Sequence, residues 1–286
     1  MAQTFISTES MNHIIGLNIC DANVSLKIGK GEYDYIFLQH GVMYMYCLEH
    51  RTFVRGKGFT KNSKVVVSSQ TEADHFITYG HFNQRDLIIS GLPKFDRNYK
   101  LPNADKILIM PTSRAFEYNI IRLNPMESTY YKFVKNIIAC VPEELREKVI
   151  VVGHPLLKEH LLATDLKEFI PQEYVYNELL QETRLLITDY SSVHFDFVYM
   201  KKPVIYYQFD RKEFFEKQYL KGEFDVERDG FGPVVTETKQ LVQELIRMWD
   251  KQLKIDDFYY QRMRMFYQIY DNKNCERVFH AIRNMY

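Results

Sequence analysis

The sequence predicts an α/β fold built on parallel sheets, and three observations carry that prediction. Eight short runs rich in Val, Ile, Leu, Phe and Tyr recur along the chain. Each is a compact apolar block rather than a strict alternation, as strands covered on both faces require. Helical patterns fall between them, which is the rhythm of strand–helix–strand units.

The strand candidates are residues 4–7, 35–38, 64–68, 87–90, 106–110, 149–152, 185–188 and 204–207. Ser69-Gln70-Thr71-Glu72 reads as a capping box that opens a helix through Tyr79, and Gly80 is placed to stop it. Further helices are expected over 128–140, 174–182, 192–200 and 239–251. After Gly232-Pro233 the chain turns helical to its end, over 256–270 and 272–285. Residues 91–104, with Pro93, Asn98, Pro102 and Asn103, mark a boundary. The expected units are therefore 1–100, 105–236, and C-terminal helices over 237–286 that pack back across the domains. The second unit has strands enough for one doubly wound sheet, whereas the first offers four and is expected to be a reduced or truncated Rossmann-like domain.

At 286 residues the chain is long enough for about two domains and a sizeable core. Its 46% apolar and 26% charged residues exclude a disordered chain. Thirty-seven basic residues cancel thirty-seven acidic ones, so no nucleic-acid partner is expected. Cys20, Cys47, Cys140 and Cys275 lie far apart with no C-x-x-C pair, which points to a reducing compartment without disulfides or structural zinc. Met1-Ala2-Gln3-Thr4-Phe5 lacks the basic and apolar regions of a signal peptide, and no apolar run reaches the roughly 20 residues that span a bilayer. A cytoplasmic protein is expected, at most peripheral at the inner face of the cell membrane.

Several signatures are missing. There is no G-x-x-x-x-G-K-[ST] loop, no G-x-G-x-x-G (Gly56-Lys57-Gly58 is too short), no H-E-x-x-H and no Asp-x-Asp pair. Diphosphate chemistry here is expected to use protein donors, with no metal and no cofactor. The strongest local signal is Leu185-Leu186-Ile187-Thr188-Asp189-Tyr190-Ser191-Ser192-Val193, a buried strand that passes straight into a helix. Ligands of open α/β sheets bind beyond the strands' carboxyl ends. Hydroxyls of Ser191 and Ser192 at a new helix would make a phosphate site without a Gly-rich loop; the competing reading is a Ser N-cap that only satisfies the helix. Val149–Val152 leads likewise into Gly153-His154-Pro155, and residues 106–110 into Pro111-Thr112-Ser113-Arg114. His154 could donate to a phosphate and Arg114 could offer a planar fork; a turn histidine and a surface arginine are the plain alternatives. In the first unit, residues 35–38 deliver Gln39-His40-Gly41, a histidine able to take a proton near neutral pH or to serve structure alone.

Taken in order, Gln39-His40-Gly41, Gly91-Leu92-Pro93-Lys94-Phe95-Asp96, Pro111-Thr112-Ser113-Arg114, His154-Pro155 and Thr188-Asp189-Tyr190-Ser191-Ser192-Val193-His194-Phe195-Asp196 resemble the CDP-glycerol glycerophosphotransferases. These are teichoic-acid polymerases and primases, with relatives in capsule synthesis. Lys202-Pro203-Val204-Ile205-Tyr206-Tyr207 and Phe231-Gly232-Pro233 fit too. The resemblance implies a GT-B-like fold, two Rossmann-type domains facing across a cleft. It implies transfer of glycerol phosphate or another alditol phosphate from a CDP-alditol to a polymer hydroxyl on a lipid-linked acceptor, with CMP leaving. On that likeness His40 and His154 are catalytic: His40 activates the acceptor and His154 holds the donor phosphates. Gly41, Lys94, Pro111, Thr112, Arg114, Thr188, Asp189, Ser191 and Ser192 complete the donor and phosphate site. Lys94 stands where the family usually has Arg, leaving a point charge in place of a bidentate fork. The truncated first unit would leave the acceptor groove to an upstream domain or a second copy of the chain. A UDP-sugar glycosyltransferase or epimerase, or a nucleotide-binding module without turnover, are the competing functions. Phe258 to Tyr267, aromatic and basic, is the candidate membrane-contacting surface, against a helix that simply packs on the protein.

Overall fold

A computed structural model describes residues 4–9, 30, 32, 34–50, 53–57, 59, 60 and 62–285. Cys20, Gly58 and residues 1–3 lie outside them. The described chain forms two compact units, one running to Arg97 and including Lys221–Phe224 and Arg264 onward, the other Asn98–Leu220 with Asp225–Met263. The division falls inside the predicted boundary. The C-terminal stretch divides between the units, with residues up to Met263 in the second and Arg264 onward in the first.

In the first unit, β1 (Thr4–Ser7), β2 (Asp34–Phe37), β3 (Ser63–Val67) and β4 (Leu87–Ile89) form one parallel sheet in that order. Helix α1 (Gln70–Gly80) follows β3, with the Ser69 hydroxyl accepting from the Glu72 amide. The aromatic excess fills this core. Phe59 packs 5.5 Å from Phe37, 5.9 Å from Phe53 and 5.6 Å from Phe82, all centroid to centroid. Such tilted ring pairs add to the stabilisation from burial alone.

The Gly91-Leu92-Pro93-Lys94-Phe95-Asp96 segment has a structural task. Asp96 accepts from the amides of Asn274 and Cys275, both at 2.8 Å, and so caps a helix far away in sequence, Asn274–Arg283. Gly91 sits at φ +77, and a Cβ there would lie 2.0 Å from Asn274 Oδ1. Only glycine accommodates both the left-handed backbone and the approach of this helix.

The second unit carries β5 (Lys106–Ile109), β6 (Val149–Val151), β7 (Thr183–Thr188), β8 (Val204–Tyr207) and β9 (Val234–Val235), all parallel, in the order β6-β5-β7-β8-β9. Strand β9 escapes sequence reading because two residues carry no periodicity. It pairs through close approach of Gly232, whose Cβ would meet the Val204 carbonyl oxygen at 1.9 Å. Ile107, Ile109, Phe133, Val134, Ile137, Leu185, Ile187, Leu241 and Leu245 belong to the core on one face of this sheet.

Lys202, fully buried, donates to the carbonyls of Leu180, Gln181 and Thr183 at 2.6, 2.7 and 2.5 Å. These carbonyls end the helix Tyr176–Glu182 and begin β7, so one ammonium satisfies groups that a helix terminus otherwise leaves bare. Replacing it with Met orphans three acceptors. Lys202→Met should lower stability by about 2–4 kcal/mol in a urea melt, and an unchanged midpoint would show that the carbonyls find other partners.

Candidate functional site

The strand order of the second unit decides where a ligand can sit. From β5 the chain moves outward to β6, then returns to the opposite side as β7. The topological switch point therefore lies between β5 and β7, at the carboxyl ends where a crevice opens in doubly wound sheets. Thr112 follows β5, Ser191 and Ser192 follow β7, and His154 follows β6 on the neighbouring strand. Four of the predicted residues are thus gathered on the carboxyl edge of adjacent strands.

A buried ion cluster fixes this edge. The Arg114 side chain is 1% exposed and spends its donors inward. Nε and both other nitrogens reach Asp210 or Asp189: Nε to Asp210 Oδ2 at 3.0 Å, one terminal nitrogen to both Asp210 oxygens at 3.0 and 2.9 Å, the other to Asp189 and the Thr112 carbonyl. Four rings, Phe133, Tyr190, Phe209 and Phe214, surround the guanidinium at 5.2–5.8 Å. Burial opposes the Arg114 charge, but the two carboxylates outweigh it and hold its pKa above the ordinary value. Burial likewise pushes the Asp210 carboxyl up, with Arg114 working against that rise.

Asp189, fully buried, accepts from the Thr112 amide at 2.8 Å and from the Tyr190 amide as well as from Arg114. Thr188 is also inside, its hydroxyl donating to the Met110 carbonyl at 2.7 Å. Pro111 is buried. Arg114, Asp189 and Thr188 were expected to contact donor phosphate. The structure turns all three inward, where they bind the loops after β5, β7 and β8 to one another. The physical reason is saturation: a guanidinium already bonded to two carboxylates has no donor left for a ligand.

What remains outward-facing is polar and underused. Ser191 and Ser192 are half-buried, and no acceptor among the described residues takes either backbone N–H. The Thr112 hydroxyl, expected at the donor phosphate, also has no partner among the described residues, but its oxygen is buried and does not face outward with the serines. The Ser191 carbonyl is held from behind by His194, which donates through Nδ1 at 2.9 Å; burial drives the His194 pKa down to about 3, so the ring is neutral. The helix that follows, Val193–Tyr199, is only seven residues long, so the hydroxyls and loop amides matter more here than a helix dipole.

His154 is exposed, and its Nδ1 accepts from the Leu156 amide at 3.3 Å. A neutral ring that accepts at Nδ1 carries its proton on Nε2. Partial desolvation of the ring against its neighbours lowers its pKa, which favours that neutral form. His154 thus presents a donor.

In the first unit His40 shows the opposite arrangement. Its Nδ1 lies 3.3 Å from the Thr8 carbonyl oxygen, which can only accept. The proton is therefore on Nδ1, and Nε2 offers a lone pair to solvent, where His40 is exposed. Lys94 donates from Nζ to the His40 carbonyl at 3.0 Å, so these two predicted residues do come together. The left-handed turn falls on Gln39, at φ 63, rather than on Gly41. The Gln39 amide holds that conformation by donating to the Val66 carbonyl at 2.6 Å.

Glu72, Asp210 and Thr8 were not singled out as site residues. Glu72 goes beyond its cap: the fully buried carboxylate accepts from Ser68 N at 2.6 Å and Met43 N at 2.7 Å, tying the His40 loop to α1. Burial raises its pKa. The capping-box spacing flagged Glu72, yet its second partner lies 29 residues away and leaves no local trace. Among the described residues, no three or more His, Cys, Asp or Glu side chains are grouped to hold a metal ion. The thiols of Cys47, Cys140 and Cys275 are free.

The family described as CDP-glycerol:poly(glycerophosphate) glycerophosphotransferase matches residues 18–284. The minor teichoic acid biosynthesis protein GgaB of Bacillus subtilis (strain 168) is 29% identical over 271 residues, covering 87% of this chain and 29% of that protein. The teichoic acid ribitol-phosphate polymerase TarK of Staphylococcus aureus (strain NCTC 8325 / PS 47) is 23% identical over 234 residues, covering 73% of this chain and 44% of that one. The chain thus spans less than half the length of either relative. Among solved structures, the wall teichoic acid polymerase TagF superposes with a TM-score of 0.68 at 17% identity, over 100% of this chain and 74% of that one. The last likeness establishes the fold.

The ion cluster generates a test. Arg114→Met leaves two buried carboxylates without their counter-charge and should destabilise the second unit by about 3–5 kcal/mol. Asp210→Asn, which keeps shape and hydrogen bonding, should cost less. Equal melting temperatures for Arg114→Met and wild type would mean that the cluster does not hold the edge together.

Proposed function

This chain belongs to the CDP-glycerol:poly(glycerophosphate) glycerophosphotransferase family, and from that premise we propose that it transfers an alditol phosphate from a CDP-alditol to a polymer hydroxyl. The observation that carries the reading is the pair of opposite histidine tautomers. A transfer of this kind needs a base for the attacking hydroxyl and donors for the charge that leaves with CMP. His40 offers the lone pair and His154 the N–H.

In this reaction the acceptor oxygen attacks the phosphorus that bears the alditol. The new P–O bond forms as the bridging bond to CMP breaks, and the hydroxyl proton passes to His40 Nε2. The negative charge that grows on the departing CMP phosphate is met by His154 Nε2–H, the hydroxyls of Ser191 and Ser192, and the free amides of the two serines. Positioned donors of this sort supply most of the catalysis in phosphoryl transfer. Lys94 serves the first unit by orienting His40 through its carbonyl. The donor set is complete in protein groups, so binding should survive EDTA.

Two mutants divide the roles. His40→Ala should leave CDP affinity nearly unchanged while cutting transfer about 10²–10⁴-fold. His154→Ala should weaken CDP itself. Equal loss of CDP affinity in both, measured by titration calorimetry, contradicts the assignment. The double variant Ser191→Ala, Ser192→Ala should lose about 1–3 kcal/mol of CDP binding. CDP should also raise the melting temperature more than UDP or ADP does.

The acceptor is read as an alditol-phosphate polymer on a lipid carrier, with the enzyme at the inner face of the cell membrane. No described helix is long and apolar enough to cross a membrane. The helix Asp257–Phe266 buries Met263 and Phe266 but leaves Phe258 and Met265 exposed, at 61% and 75%. These two side chains are the proposed contact with lipid. Flotation on anionic vesicles should fall in Phe258→Ser, Met265→Ser; unchanged flotation removes this helix as the anchor. If a second copy completes the acceptor groove, CMP release per chain should fall on dilution, whereas constant specific activity from a monomer would mean that one copy suffices.

A further inference from the structure

The amino edge of the second sheet, opposite the edge that carries Ser191 and His154, holds a cavity of its own. Its volume is about 320 Å³, and its walls include Ala104, Asp105, Lys148, Arg184, Trp249 and Leu253. At about 30 Å³ per water it has the bulk of roughly ten waters, enough for a small organic molecule. Asp105 and Lys148 immediately precede β5 and β6, and Arg184 is the second residue of β7, so three adjacent strands place the charged groups. The helix Thr238–Asp250 brings Trp249, and the turn that ends it brings Leu253. That turn is left-handed at Gln252 and Leu253, with φ 56 and 51, and Leu253 N closes it on the Met248 carbonyl at 2.8 Å.

The charges of this lining do not cancel. Lys148 pairs with Asp105 at 3.0 Å, whereas Arg184 has no carboxylate within ion-pair distance among the described residues. Its Nη2 donates to the Gln252 carbonyl at 2.7 Å. Its Nε is enclosed without a partner and so opens onto nothing. Nη1 is not enclosed, and no described residue accepts from it. The other wall residues, Gln252 included, are neutral, so two cations against one carboxylate leave the lining one positive charge. Neighbouring groups feel this field. Burial and then the Arg184 charge lower the pKa of Lys100, and burial followed by the charges of Lys100 and Arg184 lowers that of Lys202 to about 7. No carboxylate offsets either shift.

The unpaired guanidinium selects the charge of a ligand, and Trp249 selects its body. Trp249 is the chain's only tryptophan, and it stands 44% exposed on the cavity wall beside the buried Leu253 and Ala104. An indole offers a broad face for a flat ring, and a guanidinium nitrogen offers a charge-assisted hydrogen bond to an anionic oxygen. A bare phosphate would use Arg184 alone and a neutral ring Trp249 alone; a molecule that carries both features uses both. We infer that this cavity is a second ligand site, for a small organic anion whose phosphate or carboxylate meets Arg184 Nη1 and whose ring lies against Trp249. The site goes beyond the transferase reading and does not depend on it.

The test uses the full chain and the fluorescence of Trp249, which reads this cavity because the chain has no other tryptophan. Phenyl phosphate and benzoate each join a ring to one of the two anionic groups. At least one of them should change the emission saturably, with a dissociation constant on the order of millimolar, as expected for so small a ligand. The tighter of the two identifies the anionic group. Inorganic phosphate and benzyl alcohol carry one feature each and should compete for the site at least tenfold more weakly. Arg184→Gln should weaken the tighter ligand at least tenfold. If that variant fails to fold, Lys148→Glu, which turns the lining from one net positive charge to one net negative, carries the test through the same signal. No saturable change with either ring-bearing anion, equal affinity in a folded variant, or competition by phosphate or benzyl alcohol as strong as by the anions would each overturn the inference. The donor groups stand at the other edge of the sheet, so failure here leaves the CDP reading standing, and failure of CDP binding leaves this site.

Discussion

The arrangement of the second unit depends on one buried ion cluster. Arg114 neutralises one of two carboxylates, Asp189 and Asp210, and the group as a whole is left one negative charge in excess. A charge in that position is tolerable only when fully hydrogen-bonded, and here it is: Tyr190 donates to Asp210 at 3.1 Å and two amides donate to Asp189. The aromatic wall excludes water and contributes its own attraction to the cation. The three loops carrying these groups leave three adjacent strands, so the cluster sets the spacing of everything on that edge. Thr112 and the two serines can remain polar and underused because other residues hold their loops.

The first unit solves a similar problem with a neutral-to-acidic device. A single carboxylate, Glu72, reaches two amides from inside the protein and holds the turn after β2. Gln39 takes the left-handed conformation that glycine would adopt more easily, and its side-chain amide secures the cost. His40 emerges from that turn with its tautomer set by a backbone carbonyl. A carbonyl cannot change protonation, so the lone pair on Nε2 is a fixed property of the fold whenever the ring is neutral. His154 is fixed in the opposite sense by an amide, which can only donate. Two identical side chains thus acquire distinct chemical capacities from the main chain alone.

The C-terminal helix Asn274–Arg283 shows how a motif can mislead by its form. Gly91-Leu92-Pro93-Lys94-Phe95-Asp96 combines a glycine, a cation and a carboxylate, a set that suits a ligand site. In the fold the glycine makes room for Asn274 and the carboxylate caps this helix, while only the lysine points toward His40.

What the sequence by itself determined is the class of fold, the elements and the edge at which chemistry is placed. Eight strands were legible because each is an apolar block four or five residues long, a pattern local enough to survive without neighbours. The strand ends with His40, His154, Thr112, Ser191 and Ser192 were legible for the same reason. The strand order, the switch point between β5 and β7, and the partners of Arg114, Asp189 and Glu72 were decided only in three dimensions. Arg114 meets Asp189 and Asp210 across 75 and 96 residues. No periodicity encodes a bond over that distance. Whether an arginine at a strand end faces a ligand or a pair of buried carboxylates depends on which loops the sheet brings beside it, and that is a property of packing.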